Sequence, residues 1–176
     1  LYGCPVTDEG ASHLKAFPRL REVILAKTNI TDASTEVLGI LSMISHLRID
    51  ETRISDDGLQ HILNLRNLEF LNLSGTRISD ASGASFARFK NLSVLLLDRC
   101  DISDQTANEA AALSELSGVY LSETKITNAG ISSFGKSHKL RELHVNGTVV
   151  NGMAFKEFPE TSSIEILHAA DCPISD

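Results

Sequence analysis

The chain holds 176 residues with a formal net charge of −7 and 42% hydrophobic content, enough to bury a core and too acidic for non-specific attraction to nucleic-acid phosphates or an anionic membrane surface. No apolar run approaches the roughly 18 residues of a membrane-spanning helix, so membrane insertion is not expected. Neither an initiator Met nor a signal-peptide pattern stands at Leu1, and localisation stays open.

From Leu1 to Asp176 the sequence repeats every 24 residues, with no insertion or deletion. One aliphatic column runs Val6, Ile30, Ile54, Ile78, Ile102, Ile126, Val150 and Ile174. Two residues before it stand Cys4, Thr28, Thr52, Thr76, Cys100, Thr124, Thr148 and Cys172. Five before it are Leu1, Leu25, Ile49, Leu73, Leu97, Leu121, Val145 and Ala169, and two earlier again Val23, Leu47, Leu71, Leu95, Val119, Leu143 and Leu167. With Leu20, Ile44, Leu68, Leu92, Leu116, Leu140 and Ile164 at the front, the unit reads L-x-x-L-x-L-x-x-[TC]-x-I-[ST]-D.

Each unit changes period once. Around Leu71 and Leu73 apolar and polar residues alternate, as in a strand with one buried face, and in-phase units stack such strands into a parallel sheet. After the [ST]-D pair the apolar residues fall three apart, at Leu38 and Leu41, Ile62 and Leu65, Phe86 and Phe89, which predicts a short helix on the opposite side. Ser79 or Asp80 is expected to cap that helix, because an oxygen acceptor satisfies a free N–H and a carboxylate suits the positive end of the helix dipole. Gly10, Gly58 and Gly130 recur two residues after the Asp, where Ser34, Ser82, Thr106 and Ala154 are also tolerated.

This pattern resembles the leucine-rich repeat family across the whole chain, and the stretch TRISDDGLQHILNLRN is most similar to bacterial and cysteine-containing repeats. The resemblance implies an α/β solenoid, an arc with a parallel β-sheet on its concave face and short helices on its convex face, built as a single array of about seven to eight units over 1–176. It also implies a protein-interaction module rather than an enzyme. One departure stands out: the family's usual Asn in the [TC] column is Thr or Cys throughout. A Thr hydroxyl is expected to bond adjacent backbone, and a Cys to act as a small buried apolar group.

Solenoid units are stabilised by their neighbours, so the ends normally carry caps. Here the array enters in mid-unit at Leu1 and stops at the turn at Asp176, the expectation for a fragment whose open ends could self-associate. The helix column Phe17, Leu41, Leu65, Phe89, Leu113 continues as Ser137 and Thr161, each forfeiting burial worth about 1.5 to 3 kcal/mol. The last two units are therefore expected to open first unless Phe134, Phe155 and Phe158 repack over the gap.

The residues of chemical interest read mostly as architecture. Cys4, Cys100 and Cys172 lie four and three units apart, roughly 19 and 14 Å at about 4.8 Å per strand, too far for a disulfide. The column Asp8, Asp32, Asp56, Asp80, Asp104 and Asp176 has the carboxylates of a calcium ladder, but Asn128 and Gly152 interrupt it and helix capping accounts for each Asp. Asn29, Asn72, Asn91 and Asn146 fit the glycosylation pattern, with Asn72 and Asn146 expected to project from the sheet face. No nucleotide-binding, metalloprotease or nucleophile-elbow motif occurs, and neither cofactor nor metal is expected.

Function is expected where the strands face outward. Residues 24 apart become neighbours there, which gathers Phe70, Val94, Leu96 and Tyr120 into an apolar and aromatic patch. His144 and His168 extend the Leu96 and Tyr120 row, and His46 with Arg48 lies on the other side. Asn72 and Ser74 are expected on the surface beside Phe70. These residues form the candidate surface for a protein or peptide partner; the alternative is a structural or self-associating spacer in a larger protein. His144 and His168 alone are too few ligands for a metal.

Overall fold

A computed structural model of the chain describes residues 2–173. The expectations placed on Leu1, Ile174 and Asp176 lie outside the described residues. Three-residue strands recur at β1 (Glu22–Ile24), β2 (His46–Arg48), β3 (Phe70–Asn72), β4 (Val94–Leu96), β5 (Gly118–Tyr120), β6 (Glu142–His144) and β7 (Ile166–His168). They form one parallel sheet in sequence order, each residue paired with the one 24 positions on, as Leu71 is with Leu95.

Short helices follow on the other side: α1 (Asp8–Ser12), α2 (Asp32–Gly39), α3 (Asp56–Ile62), α4 (Asp104–Ala111) and α5 (Asn128–Ser132), with a 3-10 helix over Asp80–Arg88 in place of an α-helix in the fourth unit. Between the layers lies one core in which the Leu and Ile columns of the strands meet Leu38, Ile62, Phe86 and Phe134 of the helical side. Phe17 departs from its column. It is 58% exposed, whereas Leu41, Leu65 and Phe89 are buried.

Each strand ends at a backbone reversal that the repeat pattern conceals. Gly3, Lys27, Glu51, Gly75, Arg99, Glu123, Gly147 and Asp171, again 24 apart, all have φ between 52° and 65°. Left-handed backbone at a residue with a Cβ costs about 1–2 kcal/mol, and glycine escapes it at an entropic cost of about 0.5–1 kcal/mol. Glu123→Gly is accordingly expected to raise stability by about 0.5–1 kcal/mol, read as a higher urea midpoint with unchanged slope; a lower midpoint would contradict the reading.

The next residue closes the turn. Thr28, Thr52, Thr76, Thr124 and Thr148 each donate the hydroxyl to the carbonyl three residues back in the same unit, over 2.5–2.7 Å. Cys100 and Cys172 instead reach the preceding unit, with Sγ 3.3 Å from the Leu73 carbonyl and 3.1 Å from that of Val145. Burial pushes the Cys100 thiol up, away from the reactive thiolate. Cys4 departs from the expectation of a buried thiol: it is exposed on the first described turn, and Cys172 is only half-buried.

The Asp column also behaves differently from expectation. The helix caps are the preceding Thr31, Ser55, Ser79, Ser103 and Thr127, whose hydroxyls accept from the backbone N–H two residues on. Each Asp reaches across to the next unit's cap. Asp80 accepts from the Ser103 N–H at 2.9 Å and hydroxyl at 2.6 Å, and from the Thr106 hydroxyl at 2.7 Å. Asp8, Asp32, Asp56 and Asp104 take the same pair of bonds from Thr31, Ser55, Ser79 and Thr127. The Asp is therefore a clamp between units, and every capping hydroxyl both accepts within its own helix and donates backward.

The interruption at Asn128 keeps the clamp by changing both partners. Asn128 Oδ1 accepts from the Asn151 N–H, and its Nδ2 donates to Asn151 Oδ1, both at 2.8 Å. The glycine column follows from the same geometry. Ser34, Ser82 and Thr106 donate to Asp8, Asp56 and Asp80, whereas a Cβ at Gly58 or Gly130 would stand 2.2 or 2.4 Å from the carboxylate of Asp32 or Asp104.

Toward the C-terminal end the repacking over Ser137 and Thr161 is partial. Phe134 is buried, while Phe155 and Phe158, edge to face at 5.6 Å, are half-buried against the core. Core-facing Leu167 remains 45% exposed, unlike its fully buried counterpart Leu143. Amide exchange is expected to be fastest around β7; uniform protection along the array would contradict this.

Candidate functional site

The sheet register builds the outward surface from columns. One column runs Glu22, His46, Phe70, Val94, Gly118, Glu142, Ile166; the second runs Ile24, Arg48, Asn72, Leu96, Tyr120, His144, His168. Phe70 and Val94 are thus adjacent, as are Leu96 and Tyr120. The Tyr120 ring stacks on His144 with centroids 4.0 Å apart and planes 14° from parallel, and His144 meets His168 at 4.2 Å and 57°. His46 lies over Phe70 at 6.0 Å, nearly parallel, so the two flanks of the expected patch join through Val94 and Leu96 on β4. Arg48 turns aside to Asp50, 3.3 Å away.

Two residues expected to be exposed on this surface are not. Asn72 and Ser74 are buried, and the Asn72 side-chain oxygen accepts from the Ser74 N–H at 2.9 Å. They belong to a second polar ladder along the end of the sheet. There the Ser74 hydroxyl accepts from the Asp98 N–H, Asp98 from the Ser122 N–H, Ser122 from the Asn146 N–H and Asn146 from the Ala170 N–H. The strands end after three residues, so each of these N–H groups points at a neighbouring unit without a ladder carbonyl, and a small polar side chain replaces it. Asn146 is accordingly engaged rather than projecting, and of the four glycosylation matches Asn29 and Asn91 are exposed.

Glu142 belongs to the site although nothing at the level of sequence singled it out. It accepts from His144 Nε2 at 2.8 Å. Its neighbour in the column is Gly118, and the Glu142 carboxylate lies 3.6 Å from where a Cβ there would stand, with the Val94 methyls at 3.7 Å on the other side. The missing side chain leaves room for Glu142 to lie across the sheet toward Tyr120. The signal was a glycine in a column of larger residues.

The electrostatics follow from this packing. Hydrogen bonding from His144, reinforced by Tyr120 against the opposing effect of burial, holds the Glu142 carboxyl below its ordinary range. Tyr120 is pushed up to about 12, first by burial and then by Glu142, through hydrogen bonding and charge, and by the charge of Asp98. Both carboxylates therefore set a negative potential at the tyrosine. A separate open hollow of about 600 Å³ lies on the rim over Thr28, Glu51, Arg53, Gly75 and Arg99, where Glu51 pairs with both Lys27 and Arg99 at 3.3 Å.

Residues 64–87 match the family model described as a leucine-rich repeat. Among solved structures the chain is similar to a plant ice-binding protein, with 20% identity and a TM-score of 0.64 over 92% of this chain and 52% of that one. It is also similar to an internalin from Listeria monocytogenes str. 4b F2365, with 18% identity and a TM-score of 0.56 over 94% of this chain and 58% of that one. The chain thus spans little more than half the length of either structure, and at these identities the likeness concerns the fold. No curated protein matched the chain.

Proposed function

Since the chain is a leucine-rich-repeat solenoid, a fold generally used for protein interaction, we propose that it binds a protein or peptide partner on the outward sheet face, through the row Leu96, Tyr120, His144 and His168 with Phe70 and Val94 beside it. The observation that carries this reading is the continuity of that row across β4 to β7, apolar and aromatic and only half-buried on β4 to β6. Side chains that stack at 4.0 Å are held in place before a partner arrives, which lowers the ordering cost of binding. His46 and Arg48 contribute at the rim.

The test is capture by the immobilised chain with Leu96→Ala and Tyr120→Ala combined. Both side chains point away from the core, so the melting transition is expected to move little while partner capture is lost. Capture that survives both changes overturns the proposal.

One observation favours a second reading, association between copies: the outward-facing Ile166 on β7 is 45% exposed. Sedimentation at several concentrations separates the two, since a strict monomer removes the second.

A further inference from the structure

We infer that the occupant of this face is an extended basic segment, which lays an apolar side chain on Leu96 and Tyr120 and directs a Lys or Arg toward Glu142 on one flank and another toward Asp98 on the other. The inference rests on the sheet-face reading above and adds the chemistry of the partner. Glu142 and Asp98 stand on opposite sides of Tyr120, in the columns before and after its own and one unit to either side. Both are half-buried and retain acceptor capacity. Asp98 takes one backbone bond at 2.7 Å and a long one from Ser74, and Glu142 takes His144 at one oxygen and the Tyr120 hydroxyl, two bonds on a carboxylate that can accept about four.

The charge count of the face supports this polarity. Its one arginine, Arg48, is paired with Asp50, so Glu142, Asp98 and Glu22 face outward with no Lys or Arg opposite them on the described strands. Tyr120 is pushed up in its titration first by burial, and the hydrogen bond and charge of Glu142 and the charge of Asp98 add to it. The chain's net charge of −7 steers cations toward it as a whole. Two strand spacings of about 4.8 Å and four residues of about 3.3 Å put the two carboxylates roughly 16 Å apart along the diagonal. An extended peptide places residues i, i+2 and i+4 on one side over about 13 Å, so basic, apolar and basic residues at that spacing reach all three contacts with their own side-chain length to spare.

Two synthetic heptapeptides test this against the 15N-labelled chain: acetyl-Ala-Arg-Ala-Leu-Ala-Arg-Ala-amide, and the same peptide with glutamate for both arginines. The arginine peptide is expected to shift the amides of Leu96, Tyr120 and His144. Its affinity should fall about fivefold in Glu142→Gln and in Asp98→Asn, which keep the acceptor atoms and hence the fold, and should weaken as salt is raised. The glutamate peptide should leave those amides in place. Equal binding of the two peptides, or arginine-peptide affinity unchanged in both variants, overturns the inference. If neither peptide moves the face while Leu96→Ala with Tyr120→Ala still abolishes capture, the basic-segment inference falls and the sheet-face reading stands. If capture survives as well, both fall.

Discussion

Asp80→Ala is expected to cost about 3 kcal/mol, far more than a half-exposed carboxylate on a helix would suggest. The change removes the acceptor for the Ser103 N–H, the Ser103 hydroxyl and the Thr106 hydroxyl together, and donors left unpaired in a packed interface cost about 1–3 kcal/mol. Because the clamp joins two units, the loss should appear as weakened coupling along the array: broader denaturant unfolding with a lower midpoint. Asp80→Asn combined with Ser103→Asn rebuilds the pairing that Asn128 and Asn151 make, and should recover most of the loss. A helix cap acting only on its own helix would show no such recovery.

The same clamp fixes a pH dependence. Burial raises the Asp80 carboxyl, but the hydrogen bonds from Ser103 and Thr106 together outweigh it and hold the group below its ordinary 3.8; Asp8 is lowered in the same way by Ser34 and Thr31. A carboxyl with a folded value below its unfolded value binds more protons when unfolded, so its stabilisation is complete above pH 3.8 and is lost as pH falls through the lower folded value. Asp80→Asn should flatten the dependence of stability on pH in that acid range and leave its shape above it unchanged.

Gly39→Ala is the second change with a large expected effect, about 2–3 kcal/mol of destabilisation. A Cβ at Gly39, the last residue of α2, would stand 2.1 Å from the carbonyl oxygen of His61 in α3 and 3.0 Å from its carbon. Both obstacles are backbone and neither can rotate away, so α2 and α3 must separate. Gly58→Ser is the control. The nearest obstacle there is the side-chain end of Asp32, with Ile54 Cγ2 at 3.1 Å; a small turn lets that carboxylate keep Ser55 and accept from the new hydroxyl, as Asp56 accepts from both Ser79 and Ser82. Near-neutral stability in Gly58→Ser beside a large loss in Gly39→Ala is the expected pair; equal losses would contradict it.

The sheet and the helical side were legible in the sequence because a strict 24-residue phase leaves only one way to stack the Leu and Ile columns. What periodicity does not carry is direction across the stack. Asp80 and Ser79 are neighbours in sequence, so capping at home looked complete, yet the carboxylate serves Ser103, 23 residues on. The paired change to Asn at 128 and 151 was the available signal. For Asn72 and Ser74, alternation gave the face but not the burial, which comes from the second polar ladder at the strand ends. Its trace was a column of small polar residues at Ser74, Asp98, Ser122 and Asn146. The row from Leu96 to His168 was readable because register alone makes those residues neighbours; Glu142 was not, because its position depends on the space above Gly118.

The proposal that the sheet face is the recognition surface is tested most directly by amide hydrogen exchange of the chain with and without a captured partner. The expected result is added protection at β4, β5 and β6, over Val94–Leu96, Gly118–Tyr120 and Glu142–His144, with α2 to α5 unchanged. Added protection on the helical side, with none on those strands, would contradict it.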